Sequence, residues 1–258
     1  MLKFAANLSF LYAELGFLER FAAAARDGFK AVEYLGPYAE TKEAVAAALR
    51  DNGLEQALFN VPSGDWAGGE RGIACLPDRV EEFRSGIVTA LDFAAALKCP
   101  KVNVISGLVK PGADLAALEA TLVENLKWAA PRCADAGIKL LIEPINIRDI
   151  PGFFLTNTNQ AERILDAVGS DNLLIQYDIY HMQVMQGDLV PTYERLKHRI
   201  GHIQVADNPG RNEPGTGEIN YPFVFAALDR LGYDGWVGCE YKPKAGTSTG
   251  LGWMKPYV

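Results

Sequence analysis

The sequence predicts an α/β fold, a single (β/α)8 TIM barrel over residues 1–258. Three observations lead there. Short β-rich runs alternate with longer helical patterns along the whole chain. The 258 residues match the size that eight strand–helix units take, typically about 250. In the second half, four successive apolar runs finish in Glu143, Asp178, Gln204 and Glu240, with gaps of 35, 26 and 36 residues. Each gap is about one strand–helix unit. A doubly wound open sheet is the rival, but no Gly-x-Gly-x-x-Gly follows the first strand.

Taken in order, the first strand is expected at Leu2–Leu8, and Gly16–Asp27 reads as a helix stopped by Gly28. Ala31–Tyr34 is the second strand, and Lys42–Asn52 the second helix, closed by Gly53. Gln56–Val61 is the third strand. After it comes the largest irregular stretch, Pro62–Asp78, with four glycines, two prolines and a tryptophan. A long loop in a compact domain is usually functional or disordered, and Trp66 and Ile73 give this one something to bury, so it reads as a substrate-covering lid. Arg79–Leu97 is helical, Lys101–Ile105 the fourth strand and Leu115–Ala136 a long helix ended by Gly137. Lys139–Glu143, Leu173–Asp178, His202–Asp207 and Gly235–Tyr241 complete the strands. Gln160–Val168, Val190–His198 and Tyr221–Leu231 are the helices between them, with a second irregular loop at Asn208–Glu218. Thr249–Val258 leaves room only for a short eighth helix.

Composition narrows the function classes. At 49% hydrophobic the chain can bury a large core, and no composition break divides it. A net charge of −7 argues against a nucleic acid partner, which asks for a basic surface. Cys75, Cys99, Cys133 and Cys239 show no paired spacing and read as reduced, buried thiols. Met1-Leu2-Lys3-Phe4 leads straight into a strand-like run without a basic-then-apolar signal pattern. No uninterrupted apolar stretch reaches about 18 residues. The expectation is a cytoplasmic protein without a membrane partner, and homo-oligomerisation is open.

An apolar strand that finishes in a carboxylate puts that charge at the mouth of a parallel barrel, where ligands bind. Last-half strands are neighbouring staves, so Glu143, Asp178, Gln204 and Glu240 are expected to converge there as a hard, all-oxygen site suited to Mg2+ or Mn2+. Two glutamates facing one another across a carbonyl compound could remove and return a proton at adjacent carbons, making Glu143 and Glu240 the catalytic candidates. The plainer readings stand beside these: a solvated strand-end charge for each Glu, helix capping for Asp178, a backbone-bonded buried amide for Gln204. His181 lies one helical turn beyond Asp178, within reach of a substrate oxygen, and His202 shares a strand face with Gln204. A small acidic substrate needs a cation, and Arg71, Lys242 and Arg211 are the candidates. Asn7, Glu33 and Asn60 end the first three strands and face the opposite half of the mouth; Trp66 belongs to the lid. No serine sits in a Gly-x-Ser-x-Gly elbow and no His–Cys pairing is evident, so covalent catalysis is unsupported.

Several of these segments carry a resemblance. Phe4–Ser9 (FAANLS), Gly64–Gly72 (GDWAGGERG), Glu143–Asn146 (EPIN), Gln176–Gln183 (QYDIYHMQ), Glu213–Tyr221 (EPGTGEINY) and Gly238–Pro243 (GCEYKP) closely resemble the bacterial hydroxypyruvate isomerases of the xylose-isomerase-like TIM barrels. The resemblance implies interconversion of hydroxypyruvate and tartronate semialdehyde, in glyoxylate metabolism, with a small carboxylate carbonyl substrate. It implies catalytic acids at Glu143 and Glu240, divalent-ion ligands at Glu143, Asp178, Gln204 and Glu240, and His181 near the substrate. Ketose 3-epimerases of the same superfamily carry a His where this chain has Gln204, which turns the reading away from sugar epimerisation. The 2-oxo-tetronate isomerases share all four positions and are the neighbouring alternative. A metal-free transfer with Lys242 and His181 on the oxyanion is a further variant. An apurinic-site nuclease of this superfamily needs three zinc ions and many histidines, whereas the chain has three histidines. A non-enzymatic acid-binding barrel would keep the cations but have no need of two opposed glutamates.

Overall fold

In the computed structural model, which describes residues 1–257, eight parallel strands close in sequence order from the first to the eighth and back to the first. The strands are β1 Lys3–Asn7, β2 Ala31–Tyr34, β3 Glu55–Asn60, β4 Lys101–Val104, β5 Lys139–Ile142, β6 Leu173–Asp178, β7 Ile200–Val205 and β8 Trp236–Cys239. The (β/α)8 barrel is therefore the observed architecture. Helices α1 Glu19–Arg26, α2 Lys42–Asp51, α3 Val80–Leu97, α4 Leu115–Asp135 and α5 Thr158–Val168 follow the first five strands, and α8 Tyr221–Arg230 follows β7. Apolar side chains of strands and helices form one continuous layer between barrel and helices, including Phe21, Tyr34, Phe59, Phe83, Leu122, Ile164, Tyr177 and Phe225. All four cysteines are free and buried within it.

Two regions depart from the sequence expectation. After β6 the chain turns helical at once, forming α6 Ile179–Met185, and then α7 Leu189–Leu196; only the latter was legible as Val190–His198. The extra turn starts because the Asp178 carboxylate accepts hydrogen bonds from the main-chain N–H groups of Tyr180 and His181. It ends at Met185, and just beyond its cap Gly187 takes the left-handed conformation, φ 66°. After β8 the expected short eighth helix is one turn, α9 Thr247–Gly250, continued by a 3-10 turn over Leu251–Met254. Val258, the last residue of that stretch, lies outside the described residues.

The barrel interior is graded from floor to mouth. Ala5, Ala31 and Ala57 fill the floor, with Trp236 packed against them from below. Above them the interior turns polar: Asn7, Glu33, Asn60, Asn103, Gln176, Asp178, His202 and Gln204 are all buried. Gly238 of β8 makes room for this layer, since a Cβ there would overlap the Glu33 carboxylate. Gly238→Ala is expected to destabilise the fold by about 2 kcal/mol, the usual scale for overpacking a filled core, read as a fall in the denaturant midpoint. An unchanged midpoint would mean that Glu33 can move aside.

Candidate active site

The mouth is built by strand register. Asp178 pairs directly with Gln204, and Gln204 with Gly238, so the neighbouring Glu240 comes up beside the amide. β5 and β8 stop at Ile142 and Cys239, one and two residues before the expected ends at Glu143 and Tyr241. Both glutamates thus sit just past the last strand residue, where the staves splay and the side chain can turn over the opening. Glu143 and Glu240 are 4% and 5% exposed, and Asp178 is fully buried.

Three carboxylates in so little water disfavour one another. Burial first, then the charges of Glu240 and Asp178, raise the proton affinity of Glu143 well above the ordinary carboxylate value. Glu240 is raised likewise by burial, opposed by the Arg211 guanidinium and reinforced by Asp178 and Glu33. Asp178 is raised by burial, opposed by Arg211 and by its two main-chain donors. One Asp178 oxygen, Oδ1, caps α6; the other, Oδ2, is buried without any hydrogen-bond partner. Such a buried acceptor is open to a donor or a cation.

Glu143, Asp178 and His181 offer donor atoms within 4.8 Å of one another. Gln204 reaches the rim of this group by its amide: Nε2 donates to Glu33 Oε1 and Glu240 Oε2, both at 2.7 Å, while Oε1 accepts from Gln176 Nε2. To turn its oxygen towards an ion the amide has to rotate by half a turn, giving up the contact with Gln176. Asn7 Nδ2 bridges the same two carboxylates at 2.9 Å each. Asn103 Nδ2 donates to Glu143 Oε2 and to Asn60 Oδ1. Beneath them His202 Nε2 lies 2.6 Å from Glu33 Oε2, fully buried.

The cavity over this group is lined by Phe10, Asn60, Trp66, Glu143, His181, Arg211 and Glu240 among others, with Leu35, Ile105, Ile145 and Ile150 as an aliphatic wall. Its volume is about 50 Å3, little more than the share of one or two waters at about 30 Å3 each. A carboxylic acid can enter only if a side chain moves. A cleft of about 560 Å3 opens at the other end of the barrel, between Leu49, Leu54, Leu97, Pro100 and Trp236, but it gathers no group of carboxylates and offers no chemistry of this kind.

Of the three cations expected at the mouth, Arg211 lines the cavity. Its Nη2 donates to Glu240 Oε1 at 2.6 Å, Nη1 reaches Asp149 Oδ2 at 3.2 Å, and the guanidinium lies over the Phe10 and Tyr180 rings. Arg71 is placed differently from the expectation: it stacks on Trp66 and donates to the main-chain carbonyls of Trp66 and Glu70. Lys242 is exposed and acts through its main chain, which donates to the Arg211 carbonyl. Neither lines the cavity, so an oxyanion held by Lys242 loses its structural basis. His198 is exposed.

The two irregular loops differ in how firmly they are held. In Asn208–Glu218, the Asp207 carboxylate accepts from the main-chain N–H groups of Asn208, Gly215, Gly217 and Ile219, and carries Arg211 on that frame. The Pro62–Asp78 stretch is anchored at one end, where Ile73 is buried and Gly72, at φ 93°, presses against the Ile105 carbonyl with no room for a Cβ. Trp66 at its tip is 37% exposed although it reaches the cavity. Ile73 therefore supplies the burial that was expected of both. Because the cavity is too small and Trp66 is its most exposed wall, Trp66 fluorescence should change when a substrate analogue binds; an unaltered emission spectrum at saturation would remove Trp66 from the entry path.

Asp149, Asn146, Asn103 and Gln176 shape the site and were not singled out from sequence. Asn146 closes the Glu143-Pro144-Ile145-Asn146 run, which was a signal; Asp149 sits in a loop without one.

A family model described as Xylose isomerase-like TIM barrel matches residues 21–257. The chain belongs to that family. Within it, a protein of Escherichia coli (strain K12) named hydroxypyruvate isomerase is 53% identical over 257 residues, covering all of both chains. A protein of Cupriavidus necator named 2-oxo-tetronate isomerase is 52% identical, covering all of this chain and 99% of its own. Among solved structures, one described as an AP endonuclease, family 2, from Brucella melitensis superposes with a TM-score of 0.97 at 44% identity, covering 100% and 99%. With full-length relatives of the xylose isomerase-like family named isomerases at this identity, the chain is an isomerase.

Proposed function

We propose that the chain interconverts hydroxypyruvate and tartronate semialdehyde (2-hydroxy-3-oxopropanoate), with the 2-oxo-tetronates as the adjoining substrate class, as a cytoplasmic enzyme of glyoxylate metabolism. The observation that carries the reading is the pair of nearly buried glutamates, Glu143 and Glu240, facing one small cavity together with Arg211. Arg211 is the cation to which a substrate carboxylate can turn, and the aliphatic wall of Leu35, Ile105, Ile145 and Ile150 limits the length of the acid.

The donor set suits a hard divalent ion. Asp178 Oδ2 is without a partner, and Glu143, Glu240 and, after amide rotation, Gln204 supply further oxygens. Mg2+ or Mn2+ held there supplies charge neutralisation for oxygen atoms that become negative during isomerisation. One glutamate takes a proton from C3, leaving an enediolate, and the other delivers a proton to C2. The hydroxyl proton of the C3 oxygen passes to the C2 oxygen, so that ketone and alcohol exchange places. Raised proton affinities fit such a pair, since each carboxyl must hold its proton in one direction and release it in the other. Asn7 and Asn103 keep the two carboxyls oriented by donating to Glu240 and Glu143.

The test assays hydroxypyruvate beside 2-oxo-tetronates on purified protein in deuterated water, before and after exhaustive chelation. Turnover of hydroxypyruvate with solvent deuterium entering C2 is expected, falling at least about tenfold on chelation and recovering with Mg2+ or Mn2+. Full activity after chelation would remove the ion from the reaction. Binding without deuterium exchange would make the barrel an acid-binding protein.

A further inference from the structure

His181 has two ring nitrogens with different surroundings, and one residue decides which of them carries the proton. Asn146 is completely buried at the end of the β5 segment. Its side-chain Nδ2 lies 2.6 Å from His181 Nδ1, and its main-chain N–H points to the same nitrogen at 3.4 Å. A main-chain N–H can only donate. The side-chain amide is fixed as well, because Asn146 Oδ1 accepts from the Asp149 main-chain N–H at 2.7 Å, which leaves its N–H2 group towards the ring. Two donors on Nδ1 oblige that nitrogen to be the acceptor, so in the neutral imidazole the proton sits on Nε2.

Nε2 is the nitrogen that faces the chemistry. It lies 3.9 Å from Glu143 Oε1 and 3.7 Å from Asp178 Oδ2; Arg211 Nη2 also turns an N–H towards it at 3.5 Å, but that group is held by Glu240 Oε1 at 2.6 Å, and the 2.6 Å Asn146 contact on Nδ1 is much the shorter of the two opposing donors. With two donors facing Nδ1 there is no place for a second ring proton, so the ring is neutral. A nitrogen that bears a proton has no lone pair for a cation, whereas its N–H can donate to an oxygen held between Glu143 and Arg211. We propose that Asn146 is a positioning residue that fixes His181 in the Nε2–H tautomer, making His181 a hydrogen-bond donor to the reacting substrate oxygen and keeping its imidazole out of the divalent-ion ligand set. The donor role rests on the isomerase reading; the tautomer does not.

Nitrogen-15 NMR of histidine-labelled protein decides the tautomer directly. The chain has three histidines, and His181→Gln identifies the His181 signals by their loss. The expected spectrum shows a protonated Nε2 and an unprotonated Nδ1 in the substrate-free protein, unchanged when Mg2+ is added. An unprotonated Nε2, either from the start or after Mg2+, overturns the proposal. In turnover, Asn146→Asp presents carboxylate oxygens to the ring and draws the proton to Nδ1. The expected result is a loss of about 100-fold in kcat with KM within about threefold, the pattern of an interaction made in the transition state. Equal losses in Asn146→Asp and Asn146→Ala, with the Nε2–H signature retained in both, would show mere structural support and overturn the role. If Asn146→Asp does not fold, the spectrum of the parent protein still decides. Failure of the isomerase reading would look different: the parent would turn over no substrate while its Nε2–H signature stayed in place.

Discussion

Glu143→Gln and Glu240→Gln are each expected to lose about 100-fold or more in kcat, the usual contribution of a general acid or base. The substitution keeps the side chain's shape and removes only its ability to carry a proton to and fro. The two variants should differ in binding. Glu240 accepts from Asn7, Gln204 and Arg211, so an amide there sets N–H groups against N–H groups and disturbs the mouth as well as the chemistry. Glu143 accepts from Asn103 at Oε2, and a glutamine amide there can turn its oxygen to that donor. KM should therefore rise more in Glu240→Gln. Single-turnover kinetics with hydroxypyruvate separates the two effects, and near-normal kcat in either variant removes that glutamate from the proton path.

Arg211→Met should lower kcat/KM for an anionic substrate by about 100-fold, chiefly through KM, since a paired charge–charge hydrogen bond at a dry site commonly contributes about 2–5 kcal/mol. The physical reason is twofold. The guanidinium is the cation lining the cavity, and it also opposes the upward drift in the proton affinity of Glu240. Without it Glu240 holds its proton to higher pH, so the acidic limb, where activity rises as Glu240 deprotonates, should move up in pH. Arg211→Lys should recover only part of the loss, because a single ammonium cannot reach both Asp149 and Glu240 as the planar fork does. A neutral, uncharged analogue bound equally well by Arg211→Met and the parent would support the carboxylate role; equal weakening of both ligand types would assign Arg211 to the frame.

Strand order and the location of the mouth were legible because they rest on periodicity and on glycine stops, which act locally. The positions of Glu143, Asp178, Gln204 and Glu240 on four neighbouring staves, one half of the barrel, follow from strand count alone. What the sequence did not disclose is which atoms face which. Asp178 divides its oxygens between a helix cap and the cavity, so the capping reading and the ligand reading describe different oxygens of one side chain. Arg71 and Lys242 looked as eligible as Arg211, and loop conformation separates them: a left-handed Arg211, φ 54°, aims its side chain inward, while Lys242 contributes its main chain. Arg148 and Asp149 meet the second loop through contacts across 60 or so residues, for which no local pattern exists.

The four main-chain donors gathered by Asp207 have a consequence for how the enzyme breathes. That carboxylate ties residues 208–219 to the end of β7 as firmly as a short piece of sheet, so the rim that carries Arg211 is the fixed jaw. Traffic in and out is then expected at the opposite rim, beside Trp66. Selection for bulkier or longer acids will accordingly find its tolerant positions in 62–71 and meet collapse rather than new specificity if it edits 207–219.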